Sequence, residues 1–193
     1  MSAPTDAQRM LAAMFPALPD DERAILCGFT GDPAMLRKNA WRPRPWARGD
    51  AVPFAPEANA YVCVSTFRRH ADGTWRRRRE GFAAAHAFMI DDLGTKLARD
   101  VLDALAPSAL IETSRGNFQA WYWLSEPEPD AARYKALGDA FIARWAAGID
   151  PGMAGWVADA ACGSSGRGAE GALTRCSARI ACSNVRPWAR SRC

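Results

Sequence analysis

The spacing of apolar and polar positions changes several times along the chain, and each change marks an element. Residues 5–15, TDAQRMLAAMF, carry apolar side chains at helical spacing, with Thr5 or Asp6 placed to cap and Pro16 and Pro19 to stop the run. A short leading helix is predicted. AILCGFTGDP at 24–33 reads as a strand entering a Gly-Asp-Pro turn, and WRPRPWARG at 41–49 as a proline-broken, tryptophan-rich loop. ANAYVCVSTF (58–67) alternates as a strand does, the arginine-rich stretch 68–79 with Asp72-Gly73 reads as a hairpin-like excursion, and AHAFMID (85–91) is the next strand.

TKLARDVLDALAP (95–107) predicts a helix stopped at Pro107, with Leu97, Val101, Leu102 and Leu105 on one face. ALIETS (109–114) and FQAWYWLS (118–125) are two strands joined by the turn formers RGN. After the break EPEPD comes a helix of about 17 residues through Ala147, with Tyr134, Leu137, Phe141, Ile142 and Trp145 among its apolar positions. Strands outnumber long helices, so the expected class is α+β, a mixed, antiparallel-rich sheet with flanking helices.

Composition divides the chain. With 193 residues it holds one ordinary domain plus appendages. Three segments are expected: an N-terminal helix and loop extension at 1–57, a core at 58–155, and a basic tail at 156–193. The tail has no periodic apolar face and reads as disordered; GC-rich DNA translated out of frame gives a similar Arg, Ala, Gly, Ser and Cys mixture. Its six arginines against Asp159 and Glu170 account for the whole formal charge of +4. The remainder is neutral in sum but carries one dense patch, Arg68, Arg69, Arg76, Arg77, Arg78 and Arg79, which is either a solvated loop or a seat for a phosphate backbone. No apolar run of membrane-spanning length and no signal-peptide pattern is present, so a cytoplasmic protein is expected. The six cysteines form no CxxC pair, which argues against structural zinc.

Three places hold candidate chemistry. AFMIDDLGTK (87–96) ends an apolar strand on Asp91 and Asp92, followed by Gly, Thr and Lys96. Acids at a strand end bind a divalent cation together with substrate phosphates, or simply cap the next turn. In ETSRGNFQAWYWL (112–124), Ser114, Arg115, Gly116 and Asn117 offer a hydroxyl, a guanidinium and backbone N–H groups suited to phosphate, or form a hairpin tip. Asp150 in GIDPGM is a further carboxylate or a turn starter before Pro151.

Taken in order, these strings resemble the archaeo-eukaryotic primase superfamily, and more narrowly the RepB-type primase domains of phages and plasmids. The resemblance covers roughly residues 58–155 and rests on Asp-Asp-x-Gly-Thr-Lys, on Thr-Ser-x-Gly-Asn about 25 residues later, and on the acid before proline. It implies a primase-palm-like fold with an RRM-like core. It also implies two-metal primer synthesis with Mg²⁺ or Mn²⁺ on single-stranded DNA from nucleoside triphosphates, in a mobile-element replication protein with a helicase or initiator partner. By that resemblance Asp91, Asp92 and Asp150 hold metal and carry catalysis. Ser114 and Gln119 face the nucleotide, and Lys96, Arg115, Gly116 and Asn117 support its phosphates.

The chain departs from the family pattern in three ways. Adjacent acids on a regular strand point to opposite faces, whereas the family spaces them two apart. Gln119 stands where the family has histidine and carries no positive charge. His70 and His86 lie outside the motif and read as surface or strand fillers, and no Arg-Leu-Pro-Gly-like segment follows Asp150. Two other readings therefore stay open: a non-catalytic module that grips single-stranded nucleic acid through the arginine patch and aromatics, or a degenerate fragment.

Overall fold

The computed structural model describes residues 4–32, 35, 42–55 and 58–145, together with the backbone of 178–180 and 185–187. Its elements are α1 (Asp6–Met14), β1 (Glu22–Phe29), β2 (Arg44–Trp46), β3 (Asn59–Arg68), β4 (Phe82–Leu93), α2 (Val101–Ala104), β5 (Ala109–Ser114), β6 (Asn117–Glu128), α3 (Ala131–Trp145), β7 (Ala178–Ile180) and β8 (Val185–Pro187). The strands form one sheet in the order β2-β1-β3-β4-β6-β5-β8, with β7 beside β3, and every ladder between them is antiparallel. The α+β class and antiparallel-rich sheet expected from the pattern are the observed ones. Among the described residues no helix is long and apolar enough to cross a membrane.

Both longer helices cover the same face of the sheet. Thr5 caps α1 through a capping box with Gln8, and Ala7, Met10, Leu11 and Met14 form the buried stripe. Phe15, at its end, meets the His86 ring edge-on at 4.8 Å. Two residues further along β4, Phe88 stacks on Tyr134 of α3 at 5.0 Å and on Phe141 at 5.3 Å, and the Tyr134 hydroxyl donates to the Ala87 carbonyl at 2.7 Å. Residues two apart on a strand share a face. Part of the other face is a smaller cluster of Ile25, Cys63 and Phe67 under Trp75.

Within the stretch 156–193, expected to be disordered, the backbone of 178–180 and 185–187 forms the strands β7 and β8. Two further elements differ from expectation. The stretch WRPRPWARG contains a three-residue edge strand, β2, in which Pro45 is tolerated because an edge position need not donate to a neighbour. The helix expected over 95–107 is helical only at Val101–Ala104. Its first turn is replaced by a loop that folds back on β4: the Asp92 carbonyl accepts from the backbone N–H groups of Thr95, Lys96 and Leu97, and Gly94 N donates to the Leu97 carbonyl at 2.7 Å. Val101 and Leu102 still bury the predicted stripe.

Candidate functional site

The acids sit on a β-bulge. In the β4–β6 ladder Ile90 faces Ala120 and Leu93 faces Phe118, so Asp91 and Asp92 together oppose the single residue Gln119. Asp92 takes a positive φ of 58°, a backbone state that Asp tolerates better than most residues. The extra residue keeps Ile90 and Leu93 both in the core, at 1% and 0% exposure, although they are three apart. It also removes the difficulty of adjacent acids, because both carboxylates reach β6 residues that share one face. Asp91 Oδ2 accepts from Gln119 Nε2 at 3.1 Å, and Asp92 Oδ1 accepts a long 3.4 Å bond from Asn117 Nδ2.

A polar web surrounds the pair. Lys96 Nζ lies 2.8 Å from Asp92 Oδ2, and this contact holds the lysine pKa above its ordinary value. Thr95 Oγ1 donates to Asn117 Oδ1 at 2.8 Å, while Asn117 Nδ2 also reaches Thr113 Oγ1 at 3.1 Å. The β5–β6 turn closes at Gly116, with φ 76°, and Gly116 N donates to Glu112 Oε1 at 2.9 Å. Gly94 packs so closely on this turn that a Cβ there would stand 2.4 Å from the Gly116 carbonyl oxygen. The loop after β4 and the β5–β6 hairpin are thereby held as one unit.

Burial raises the Asp91 carboxyl pKa, opposed by hydrogen bonds from Asp92 N and Gln119. Gln119 is 3% exposed, and its Oε1 has no hydrogen-bond partner among the described residues. Among those residues no group of three His, Cys, Asp or Glu side chains gathers to hold a metal ion. Mg²⁺ nevertheless binds through one or two carboxylates, with water and substrate phosphates completing its shell. A half-buried carboxylate, its neighbour Asp92 and an amide oxygen without a partner among the described residues fit that donor set.

The structure brings together Asp91, Asp92, Lys96, Asn117 and Gln119. Ser114 and Arg115 are exposed at the hairpin tip, beside Gly116, and Asp150 lies outside the described residues. The arginine patch sits before the start of β4 and the acids near its end. Within the patch Arg68 lies 3.7 Å from Glu22, Arg69 donates to the Gly73 carbonyl, and Arg76 pairs with Asp72. Sequence reasoning missed Thr95 and Thr113, which orient Asn117; both lie inside the quoted motifs, where their spacing alone gave no sign of a shared partner. It also missed that His86, 4% exposed, belongs to a buried polar chain with Thr66 and Glu22.

No family model matches the chain, and no curated protein does. Among solved structures, the AEP domain of the cyanophage S-2L primase-polymerase is similar to it, with a TM-score of 0.45 and 14% identity over 78% of this chain and 73% of that one.

Proposed function

We propose that this chain is a primase-like nucleotidyltransferase domain that binds a nucleoside triphosphate at the β4–β6 bulge and extends primers on single-stranded DNA. The observation that carries the reading is the bulge itself: it turns two adjacent acids toward one β6 face, beside Asn117, Gln119 and Lys96. Asp91 and Asp92, with Gln119 Oε1, are the oxygen donors that would hold Mg²⁺ or Mn²⁺. When bound, the cation supplies Lewis-acid activation of a primer 3′-hydroxyl and neutralises triphosphate charge. In this reading Gln119 and Asn117 orient the two carboxylates, and Thr95 fixes the Asn117 amide. Lys96 and the hairpin-tip groups of Ser114, Arg115 and Gly116 receive the phosphates. Asp150 is the further acid in the proposal, and the RepB-type subfamily with a helicase or initiator partner is its finer form, both resting on the sequence strings.

Heating the protein with Mn²⁺ and a deoxynucleoside triphosphate tests the reading. A rise in Tm that needs both, disappears in Asp91→Ala/Asp92→Ala and accompanies primer extension supports it. A wild-type protein with no joint shift and no extension contradicts it. A second reading, a binding-only module, draws support from Lys96, which already neutralises Asp92, and from Gln119, which has no charge to set against a triphosphate. It predicts salt-dependent single-strand binding with no extension under any metal.

A further inference from the structure

Arg99 is exposed in the loop between β4 and α2, and its guanidinium carbon stands 4.3 Å from the centre of the Phe118 ring on β6. Its stem runs along the junction of the two turns: the point where a Gly94 Cβ would stand is 3.5 Å from Arg99 Cδ and 2.4 Å from the Gly116 carbonyl oxygen. The side chain is therefore pinned against the hairpin tip. Among the described residues its guanidinium enters no ion pair and no hydrogen bond. Asp100 and Asp103, exposed acids of the same segment, do not pair with it, and Glu112 Oε1 is taken by Gly116 N.

A guanidinium held over an aromatic ring keeps its N–H donors in one plane, and the fork they form matches two oxygens of a phosphate. Because the ring already fixes that plane, little further freedom is lost when an anion binds. Arg23 and Arg69 also lie over a ring, that of Trp75, at 4.9 and 5.0 Å, but both already donate to backbone carbonyls: Arg23 to Asp20 and Glu22, Arg69 to Gly73. Arg99 is oriented in the same way with its donors unengaged. Its position relative to the carboxylates follows from β6: Phe118 and Gln119 are adjacent, so their side chains leave opposite faces, and it is Gln119 that donates to Asp91. Lys96 lies with the acids through its pair with Asp92, whereas Arg99 lies behind the hairpin from them.

We propose that Arg99 grips a backbone phosphate of single-stranded DNA that passes the bulge and continues over the β5–β6 hairpin tip, an inference that rests on the nucleotidyltransferase reading for the identity of the strand. A phosphate on Arg99 is on the wrong side of the hairpin to share a cation with Asp91 and Asp92, so it belongs to the strand and not to the nucleotide. A single strand carries a phosphate at every nucleotide and can meet several groups in succession. The exposed tip supplies the intermediate ones, the Ser114 hydroxyl and the Arg115 guanidinium. With Asp100 and Asp103 in the same segment, Arg99 makes one oriented contact and not a diffuse basic patch.

Fluorescence anisotropy with the full chain and a labelled single-stranded oligonucleotide, in chelator and at several salt concentrations, tests the proposal. Arg99→Ala should lower the slope of log affinity against log salt by ~0.7, the contribution of one phosphate on a single strand. Arg99→Lys keeps the charge but not the planar fork, so it should keep the slope and bind severalfold more weakly. A wild type that binds no oligonucleotide, an Arg99→Ala slope equal to that of the wild type, or an equal loss of slope in both variants would overturn it. So would an Arg99→Ala variant that binds the oligonucleotide as the wild type does but loses the Tm rise with Mn²⁺ and a nucleoside triphosphate, because the phosphate would then be the nucleotide's. Failure of the nucleotidyltransferase reading registers separately, as a wild type with no such Tm rise, since the anisotropy is measured without divalent cations.

Discussion

Burial raises the Asp91 pKa from its ordinary 3.8, and the hydrogen bonds from Asp92 N and Gln119 Nε2 offset only part of the shift. A carboxyl whose folded-state pKa is raised stabilises the fold fully below its unfolded pKa, and that contribution is lost as pH rises through the folded value. At neutral pH the ionised Asp91 therefore works against the fold, as a residue kept for binding does. Asp91→Asn keeps the shape without the charge, and a turn of the Gln119 amide lets its unpartnered Oε1 accept from the new Nδ2. The variant should melt higher than the wild type at pH 7 and converge with it near pH 4 and below, while losing any Mn²⁺-dependent stabilisation. Denaturant titrations at a series of pH values measure this directly; a variant less stable than the wild type at pH 7 would mean that the Asp91 charge is compensated in the folded protein.

The loop after β4 and the β5–β6 hairpin act as one element because Gly94 and Gly116 touch through the backbone. Gly94 has φ 88°, and an added Cβ would sit 2.4 Å from a carbonyl oxygen that cannot rotate away. Gly94→Ala should therefore cost on the order of 2 kcal/mol and, by shifting the hairpin, weaken joint binding of Mn²⁺ and a nucleoside triphosphate. Urea unfolding and the thermal shift read the two effects separately, and a variant that retained both stability and the shift would show that the two turns are not coupled. This contact also marks how far the chain pattern could be read. Alternation over 85–91 and 118–125 located β4 and β6, and ALIETS gave the bounds of β5. Alternation cannot show where an extra residue enters a strand, since a bulge is a property of the pair and not of either sequence. The helix expected at 95–107 shrank for a related reason: its apolar stripe is real, but the Asp92 carbonyl captures the N–H groups of the first turn.

Across the whole molecule, charge and candidate chemistry sit at opposite ends of β4. Phe82 and Asp91 are nine steps apart, and at ~3.3 Å per residue that separates the arginine excursion from the acids by about 30 Å. The sequence brings the six arginines close together along the chain but gives no measure of this separation, nor of which arginines are already engaged. Arg68, Arg69 and Arg76 have partners within the fold, whereas Arg78 and Arg79 are exposed. If single-stranded DNA runs from this patch toward the bulge, Arg78 and Arg79 are the residues whose removal should register as lost counterion release. Each phosphate contact on a single strand contributes ~0.7 to the slope of log affinity against log salt, so Arg78→Ala/Arg79→Ala should lower that slope by about 1.4. The same variant should keep the Tm rise with Mn²⁺ and a nucleoside triphosphate, because the bulge is too distant for two surface charges to reach through physiological salt. Fluorescence anisotropy with a labelled oligonucleotide at several salt concentrations measures the slope. An unchanged slope would remove the patch from the DNA path and leave the hairpin tip at Arg115 as the next basic group to test.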